Sequence, residues 1–275
     1  MTTLSERQQR EKEYYEKYAN TFDLDTEIDF APIDGPMSGR ERRPWNSYWR
    51  TYELLIDFWQ NAQSQNLRLL DFGCGPGDNS LRFSRIGFHV TGFDISESNI
   101  KNCYTLFEKN KMSERGEFLV SVAEKLPFEN ETFDVVAGID ILHHVDIPKA
   151  MLEVRRVLKE GGIAVFREPI EVPFLDWIRN SKLVTFFVPN QASLENHITE
   201  DERKLNRQDF INIAAVFPDM KIERSLILSR FDKFIIKKSN KKASTLEKID
   251  MFLSRIIPGY SKLGGAVVIK LVKSS

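Results

Sequence analysis

Leu69–Asn79 reads LLDFGCGPGDN, a short apolar run, an acid, and then glycines at every second position. An apolar strand through Leu67, Leu69 and Leu70 is expected to end at Asp71 and feed a tight turn built on Gly73, Gly75 and Gly77. Glycine is the residue for backbone that must take positive φ, or lie against a ligand with no Cβ between them. About twenty residues on, a second apolar run, Phe88–Phe93, ends in Asp94. Strand, glycine turn, helix and second strand ending in an acid is the arrangement by which an open α/β sheet holds an adenosine-containing molecule, the acid taking ribose hydroxyls.

The dinucleotide fingerprint shares this skeleton but spaces its glycines G-x-G-x-x-G and seats a pyrophosphate at the helix N-terminus. Here the glycines run G-x-G-x-G, and Asp78 stands where the last fingerprint glycine would be. A carboxylate at that end of the helix opposes a phosphate anion. The ligand expected here is a nucleoside without phosphates, and an NAD-linked oxidoreductase is disfavoured on the same ground.

Taken together, these residues resemble the class I S-adenosylmethionine-dependent methyltransferases of small-molecule type. The resemblance spans roughly residues 66–168. Besides Asp71–Gly77 and Asp94, it rests on SVAEKLPFENETFDVV (121–136), similar to that family's adenine-side loop and fourth strand. It also rests on EVRRVLKEGGIAVF (153–166), similar to the helix, turn and fifth strand that follow. The resemblance implies an α/β fold, a mostly parallel seven-stranded Rossmann-like sheet with helices on both faces, an N-terminal helical segment, and a helical cap or insertion after strand five. It implies S-adenosyl-L-methionine as cofactor.

Along the chain, residues 1–20 read as a charged helix, 21–44 as loop by their glycines and prolines, and 47–63 as a helix with Tyr48, Tyr52, Leu55, Ile56 and Trp59 at helical spacing. Strands at 67–72, 88–93, 117–122, 133–138 and 162–167 alternate with helices at 78–86, 96–109 and 147–158. Such alternation means a parallel sheet. A helix at 206–216, a strand at 220–228, a helix at 244–257 and a last strand at 265–272 are expected to complete it. This gives four regions: 1–65, an N-terminal helical segment covering the donor site; 66–168, the S-adenosylmethionine-binding core; 169–205, an acceptor-side cap; and 206–275, completion of the sheet with a helical insertion.

A net charge of -1 argues against a broad nucleic-acid surface, which needs a clear excess of Lys and Arg. No Asn-Pro-Pro-Tyr or Asp-Pro-Pro-Tyr follows the fourth strand and no Pro-Cys occurs, which speaks against methylation of nucleic-acid bases. The two cysteines, Cys74 in the glycine turn and Cys103 on a predicted helix, lack metal-like spacing and fit reduced thiols in a cytoplasmic protein. The first thirty residues contain no stretch of signal-peptide length.

For the donor, the resemblance points to Asp71, Phe72, Gly73, Cys74, Gly75 and Gly77 around the methionine portion. Asp94 is matched to the ribose and Ile95 to the adenine face. Asp71 is read as either orienting the turn or facing the ammonium group, and Asp94 also as a cap for the helix from Ser96. The family usually has an acid where this chain has Val122, so the Ala123 backbone or the Glu124 side chain is expected to meet the adenine amino group. The fourth strand delivers Gly138, Ile139 and Asp140 toward the methyl-transfer position, with His143 and His144 just beyond. Asp140 and the two histidines are the catalytic candidates, an imidazole being suited to take a proton near neutral pH; a locally packed histidine is the alternative. No metal is expected. Tyr14, Tyr15 and Tyr18 resemble the helix that many of these enzymes fold over the donor, and Tyr48 and Arg50 are further pocket candidates.

The expected activity is in-line methyl transfer to a small-molecule acceptor, one with an apolar portion if Phe174, Trp177, Phe186 and Phe187 line its pocket. The alternative is a non-catalytic S-adenosylmethionine-binding protein with a regulatory or interaction role. The lysine-rich stretch 230–238 and helix 244–257 would also suit docking at a membrane surface. Neither the acceptor atom nor the oligomeric state is written in the sequence.

Overall fold

A computed structural model describes residues 4–39, 42–172, 203–232 and 242–274. The aromatic residues 174–187 and most of the acceptor-side cap therefore lie outside the described residues, as do the lysines at 233, 237, 238 and 241.

Three helices precede the sheet: α1 (Glu6–Ala19), α2 (Ala31–Met37) and α3 (Ser47–Asn61). Ser5 caps α1 in a reciprocal box with Gln8, and Asn46 caps α3 by accepting from the N–H groups of Tyr48 and Trp49. The 21–44 loop expectation misses α2. Its prolines conceal it: Pro32 sits in the first turn, where a missing N–H costs nothing, and Pro36 in the last.

The core follows as β1 (Arg68–Phe72), α4 (Asp78–Ile86), β2 (His89–Asp94), α5 (Glu97–Lys109), β3 (Gly116–Val120), β4 (Phe133–Ile139), α6 (Ile147–Val157) and β5 (Leu158–Pro169). Then come α7 (Arg207–Val216), β6 (Lys221–Ser225), α8 (Thr245–Ile256) and β7 (Ala266–Val272). The strands form one seven-stranded sheet in the order β3-β2-β1-β4-β5-β7-β6. β1 to β5 pair in parallel, and β7 runs antiparallel to both β5 and β6.

The two-residue period of the strands sorts the core to opposite faces. Leu69, Val135, Ile163, Val165 and Val268 pack with Tyr52 and Leu55 of α3 and Phe83 of α4. Leu70, Val136, Ala164, Phe166 and Ile269 pack with Met151 and Val154 of α6 and Ile213 of α7. Helices thus cover both faces, and the near-continuous apolar runs of the strands are what that burial requires.

β6 is shorter than the predicted strand. Leu226 takes φ +62°, and the Asp250 carboxylate accepts the N–H groups of Ile227, Leu228 and Ser229 at 3.2, 2.9 and 2.9 Å. Backbone donors satisfied by a side chain have none left for a ladder.

Candidate functional site

The strand order switches at β1, with β2 and β3 added on one side and β4 and β5 on the other, and open α/β sheets hold their ligands outside the carboxyl ends of the strands at that switch. A cavity of about 280 Å³ lies there. Its floor is the glycine turn, Gly73, Cys74 and Gly75, with Asp94 and Ile95 from the end of β2. Ala123 and Glu124 form one side, Ile139 and Asp140 of β4 another, and Gln8, Glu11, Tyr15 and Tyr18 of α1 close it over.

The two glycines at the floor do different things. Gly73 has φ +74°, and a Cβ there would come 2.5 Å from Ile141 Cδ1, so it lets the β4 loop pack against the turn. Gly75 has φ +51°, and a Cβ there would meet nothing within 4 Å. The space over Gly75 is the cavity.

Asp94 is buried, and its Oδ1 accepts from Ser96 N at 2.9 Å and Asn99 Nδ2 at 3.1 Å, while Oδ2 accepts from Gly75 N at 3.0 Å. Burial pushes its carboxyl up, and those three donors pull against it. A carboxylate has about four acceptor positions, so one remains open, on Oδ2. One ribose hydroxyl fits that position directly; a second has to share. The helix cap is Ser96, not Asp94, which instead fixes the Ser96 backbone.

Asp71, Phe72 and Gly77 stand behind the turn and do not line the cavity. Asp71 accepts from Ser80 Oγ, tying β1 to α4, which is the turn-orienting role and not an ammonium contact. Burial raises its carboxyl to about 7, opposed by the Ser80 hydrogen bond, with Asp78 and Asp94 adding to the rise. Phe72 packs edge-on against Phe93 and Phe166 in the core. The cysteines are free, with sulfurs 3.7 Å apart, and burial pushes both thiols up. High-pKa buried thiols are inert.

The histidines part company. His143 is buried outside the cavity lining, its Nδ1 2.6 Å from Glu168 Oε2 and its ring 4.1 Å from that of His144, so it stands behind His144 and not on the cavity wall. Glu168, which sequence reasoning did not single out, is fully buried at the end of β5. Its Oε1 accepts from the N–H groups of Ile141 and Leu142 at 2.9 and 2.8 Å, so one carboxylate braces the whole turn after β4. His144 does line the cavity. Its Nε2 is 2.9 Å from the Tyr15 hydroxyl and its Nδ1 3.2 Å from Glu11 Oε2.

Asp140 holds φ +56°, an uncommon conformation for a non-glycine residue, and pairs with Arg167 while accepting from Tyr48 Oη at 3.2 Å. The Arg167 guanidinium lies 4.2 Å over the Tyr48 ring. Arg167 and Tyr48 also line a second cavity of about 470 Å³, with Trp49 and Tyr52. The Asp140–Arg167 pair is thus the partition between the two spaces. Asp78, paired with Arg82, borders both. Arg50, a pocket candidate, instead pairs with Glu53 and Glu223 on the surface of α3 and lines neither.

Glu124 lines the cavity but is already engaged, accepting from Gln8 Nε2 at 2.9 Å and from Asp146 N at 3.0 Å. Gln8, Glu11, Tyr15 and Tyr18 recur at helical spacing, a signal available in the sequence; their mixed polarity hid it, because an inward face is ordinarily sought among apolar residues. Glu16 on the same helix accepts from the N–H groups of Glu97 and Ser98 at the start of α5. Burial opposes its charge, but hydrogen bonds from Ser98 and the Glu97 backbone hold the carboxyl below its ordinary value.

Residues 70–166 match the methyltransferase-domain family, so the α/β core of this chain is a class I methyltransferase domain, and S-adenosylmethionine is its cofactor. The chain is 34% identical over 145 residues to a demethylmenaquinone methyltransferase of Leptospira interrogans, covering 49% of this chain and 57% of that one. It is 35% identical over 103 residues to a ubiquinone biosynthesis O-methyltransferase of Maricaulis maris, covering 37% and 40%. The chain thus spans about half the length of these curated relatives. Among solved structures, a geranyl diphosphate C-methyltransferase from Streptomyces coelicolor superposes with a TM-score of 0.60 at 16% identity, covering 99% of this chain and 100% of that one. At that identity, what is shared is the fold.

Proposed function

We propose that this chain transfers a methyl group from S-adenosylmethionine to a small acceptor with an apolar portion. The observation that carries this reading is the pair of adjoining cavities, one floored by Gly75 and Asp94, the other bordered by Tyr48, Trp49 and Tyr52, with the Asp140–Arg167 and Asp78–Arg82 pairs between them. Bound in the first, S-adenosylmethionine supplies an electrophilic methyl carbon for in-line displacement.

The protein's own part is binding and orientation. Asp94 Oδ2 and the open floor at Gly75 hold the donor, and Glu124 and the Ala123 backbone border its base. Of the four arginines that line the second cavity, Arg43, Arg82 and Arg167 are matched to the carboxylates of Glu247, Asp78 and Asp140, and Arg230 donates to the backbone carbonyls of Leu226, Ile227 and Leu263. Holding acceptor and methyl in line contributes as much as about 7–11 kcal/mol in favourable systems. Tyr15 and Glu11 bracket the imidazole of His144 on the donor side, Tyr15 Oη 2.9 Å from Nε2 and Glu11 Oε2 3.2 Å from Nδ1. Relatives named for demethylmenaquinone and ubiquinone biosynthesis, and a fold relative named for geranyl diphosphate, support an apolar acceptor.

The test is transfer of a tritiated methyl group from S-adenosylmethionine to a panel of quinols, phenols and isoprenoids, followed by extraction into organic solvent. Label in the organic phase with at least one acceptor is the expected result. Tight donor binding without turnover on any of them would favour the non-catalytic, donor-binding alternative.

A further inference from the structure

Helix α8 is amphipathic in the wrong sense for a helix on a soluble body. Its inward face is polar: Glu247 pairs with the buried Arg43, and Asp250 caps the 227–229 backbone and accepts from Tyr260 Oη at 2.8 Å. Glu247 and Asp250 are 5% and 3% exposed. Successive residues turn by about 100° around a helix, so Phe252 and Ile256 point the opposite way. They are 59% and 54% exposed, and Ile249 beside them is 38% exposed. The Tyr260 bond holds the next turn against the helix, where Ile257 and Leu263 are exposed as well. Single exposed apolar side chains are ordinary, but a stripe of them marks a contact surface.

The charges around the stripe have one sign. Between residues 242 and 263 the only acids are Glu247 and Asp250, both turned inward, while Lys242, Lys248, Arg255 and Lys262 are exposed. An apolar stripe rimmed by cations, with no exposed carboxylate, complements an anionic bilayer surface: rings and branched chains enter the acyl boundary and the cations meet headgroup phosphates. Among the described residues no helix is long and apolar enough to cross a membrane, so the contact is lateral. Lys242, Ser244 and Glu247 also line the second cavity, so the N-terminal end and inward side of α8 border the proposed acceptor chamber while the stripe faces away from it.

We propose that the outward face of α8, with the turn that follows it, docks this protein on an anionic lipid bilayer. The proposal extends the apolar-acceptor reading, but vesicle binding is measured without donor or acceptor, so either can fail alone. The full chain is floated with vesicles of phosphatidylcholine, or of about three parts phosphatidylcholine to one part phosphatidylglycerol. Wild type should rise with the anionic vesicles and stay behind with the neutral ones, and should be released as salt goes from about 0.1 M to about 1 M, where screening shortens to about 3 Å. Phe252→Ser with Ile256→Ser, and separately Lys248→Glu with Arg255→Glu, should each weaken partitioning at least about tenfold, because each removes one of the two binding contributions. These positions are exposed, and unchanged melting temperature and donor affinity check that fold and site persist. Failure of wild type to float with anionic vesicles would overturn the proposal. So would a wild-type dimer in sedimentation that Phe252→Ser with Ile256→Ser converts to monomer, since the face would then join two copies of the chain.

Discussion

Gly75→Val separates what the glycine turn does for the backbone from what it does for the ligand. At φ +51° any residue with a Cβ is strained by about 1–2 kcal/mol. For a chain of this size each kcal/mol moves the melting temperature by about 2–4 °C, so a fall of about 2–8 °C is expected from the backbone alone. The branched side chain meets no protein atom at its Cβ and so extends into the 280 Å³ cavity, on the donor's floor. Donor affinity should then fall at least about a hundredfold, equivalent to about 2.7 kcal/mol. Gly161→Val is the matched control. Its φ is +75° and a Cβ there also meets nothing within 4 Å, but it lies at the start of β5, outside the cavity lining. Calorimetric titration with S-adenosylmethionine and thermal melts on both variants give the comparison. Similar melting temperatures with a large affinity gap support the reasoning; equal donor affinities in the two variants would refute it.

Asp71→Asn should change the pH dependence of stability. Buried Asp71 keeps its proton up to about 7 against 3.8 for the ordinary carboxyl, so the folded state binds a proton that the unfolded chain has released, and stability from this group is lost as pH rises through that window. A span of about 3 pH units corresponds to about 4 kcal/mol; the urea stability of Asp71→Asn relative to wild type should rise from pH 4 to pH 7 and then level, and a gap that does not vary with pH counts against it. Glu168→Ala leaves the Ile141 and Leu142 N–H groups and His143 Nδ1 without their acceptor, at about 1–3 kcal/mol for each buried group. Chemical denaturation should show a loss of several kcal/mol, with Glu168→Gln retaining more, and equal midpoints for the two would remove the bracing role.

The donor side was legible because its signals are local. The glycine spacing, Asp94 after the second apolar run and the strand-helix alternation each sit within a short window and follow from backbone geometry alone. The rest depends on residues far apart in the chain. Tyr15 and His144 are 129 positions apart and Arg43 and Glu247 are 204, and no period or motif links them. Glu168 read as an unremarkable acid near a strand end, since only the fold brings two backbone donors and an imidazole to it. In α8 the sequence shows amphipathicity but not which side is inward; Arg43 and the 227–229 backbone reverse the ordinary choice by giving its acids buried partners.

The central claim is that the cavity over Gly75 and beside Asp94 holds S-adenosylmethionine. Isothermal titration of the donor into wild type and Asp94→Ala, with NAD as the competing nucleotide, tests it most directly. One donor site per chain is expected in wild type, weakened about tenfold or more by loss of a buried charged acceptor, with the fold intact by circular dichroism and no heat from NAD. Equal S-adenosylmethionine affinity in wild type and a folded Asp94→Ala, or binding of NAD in its place, would contradict the account.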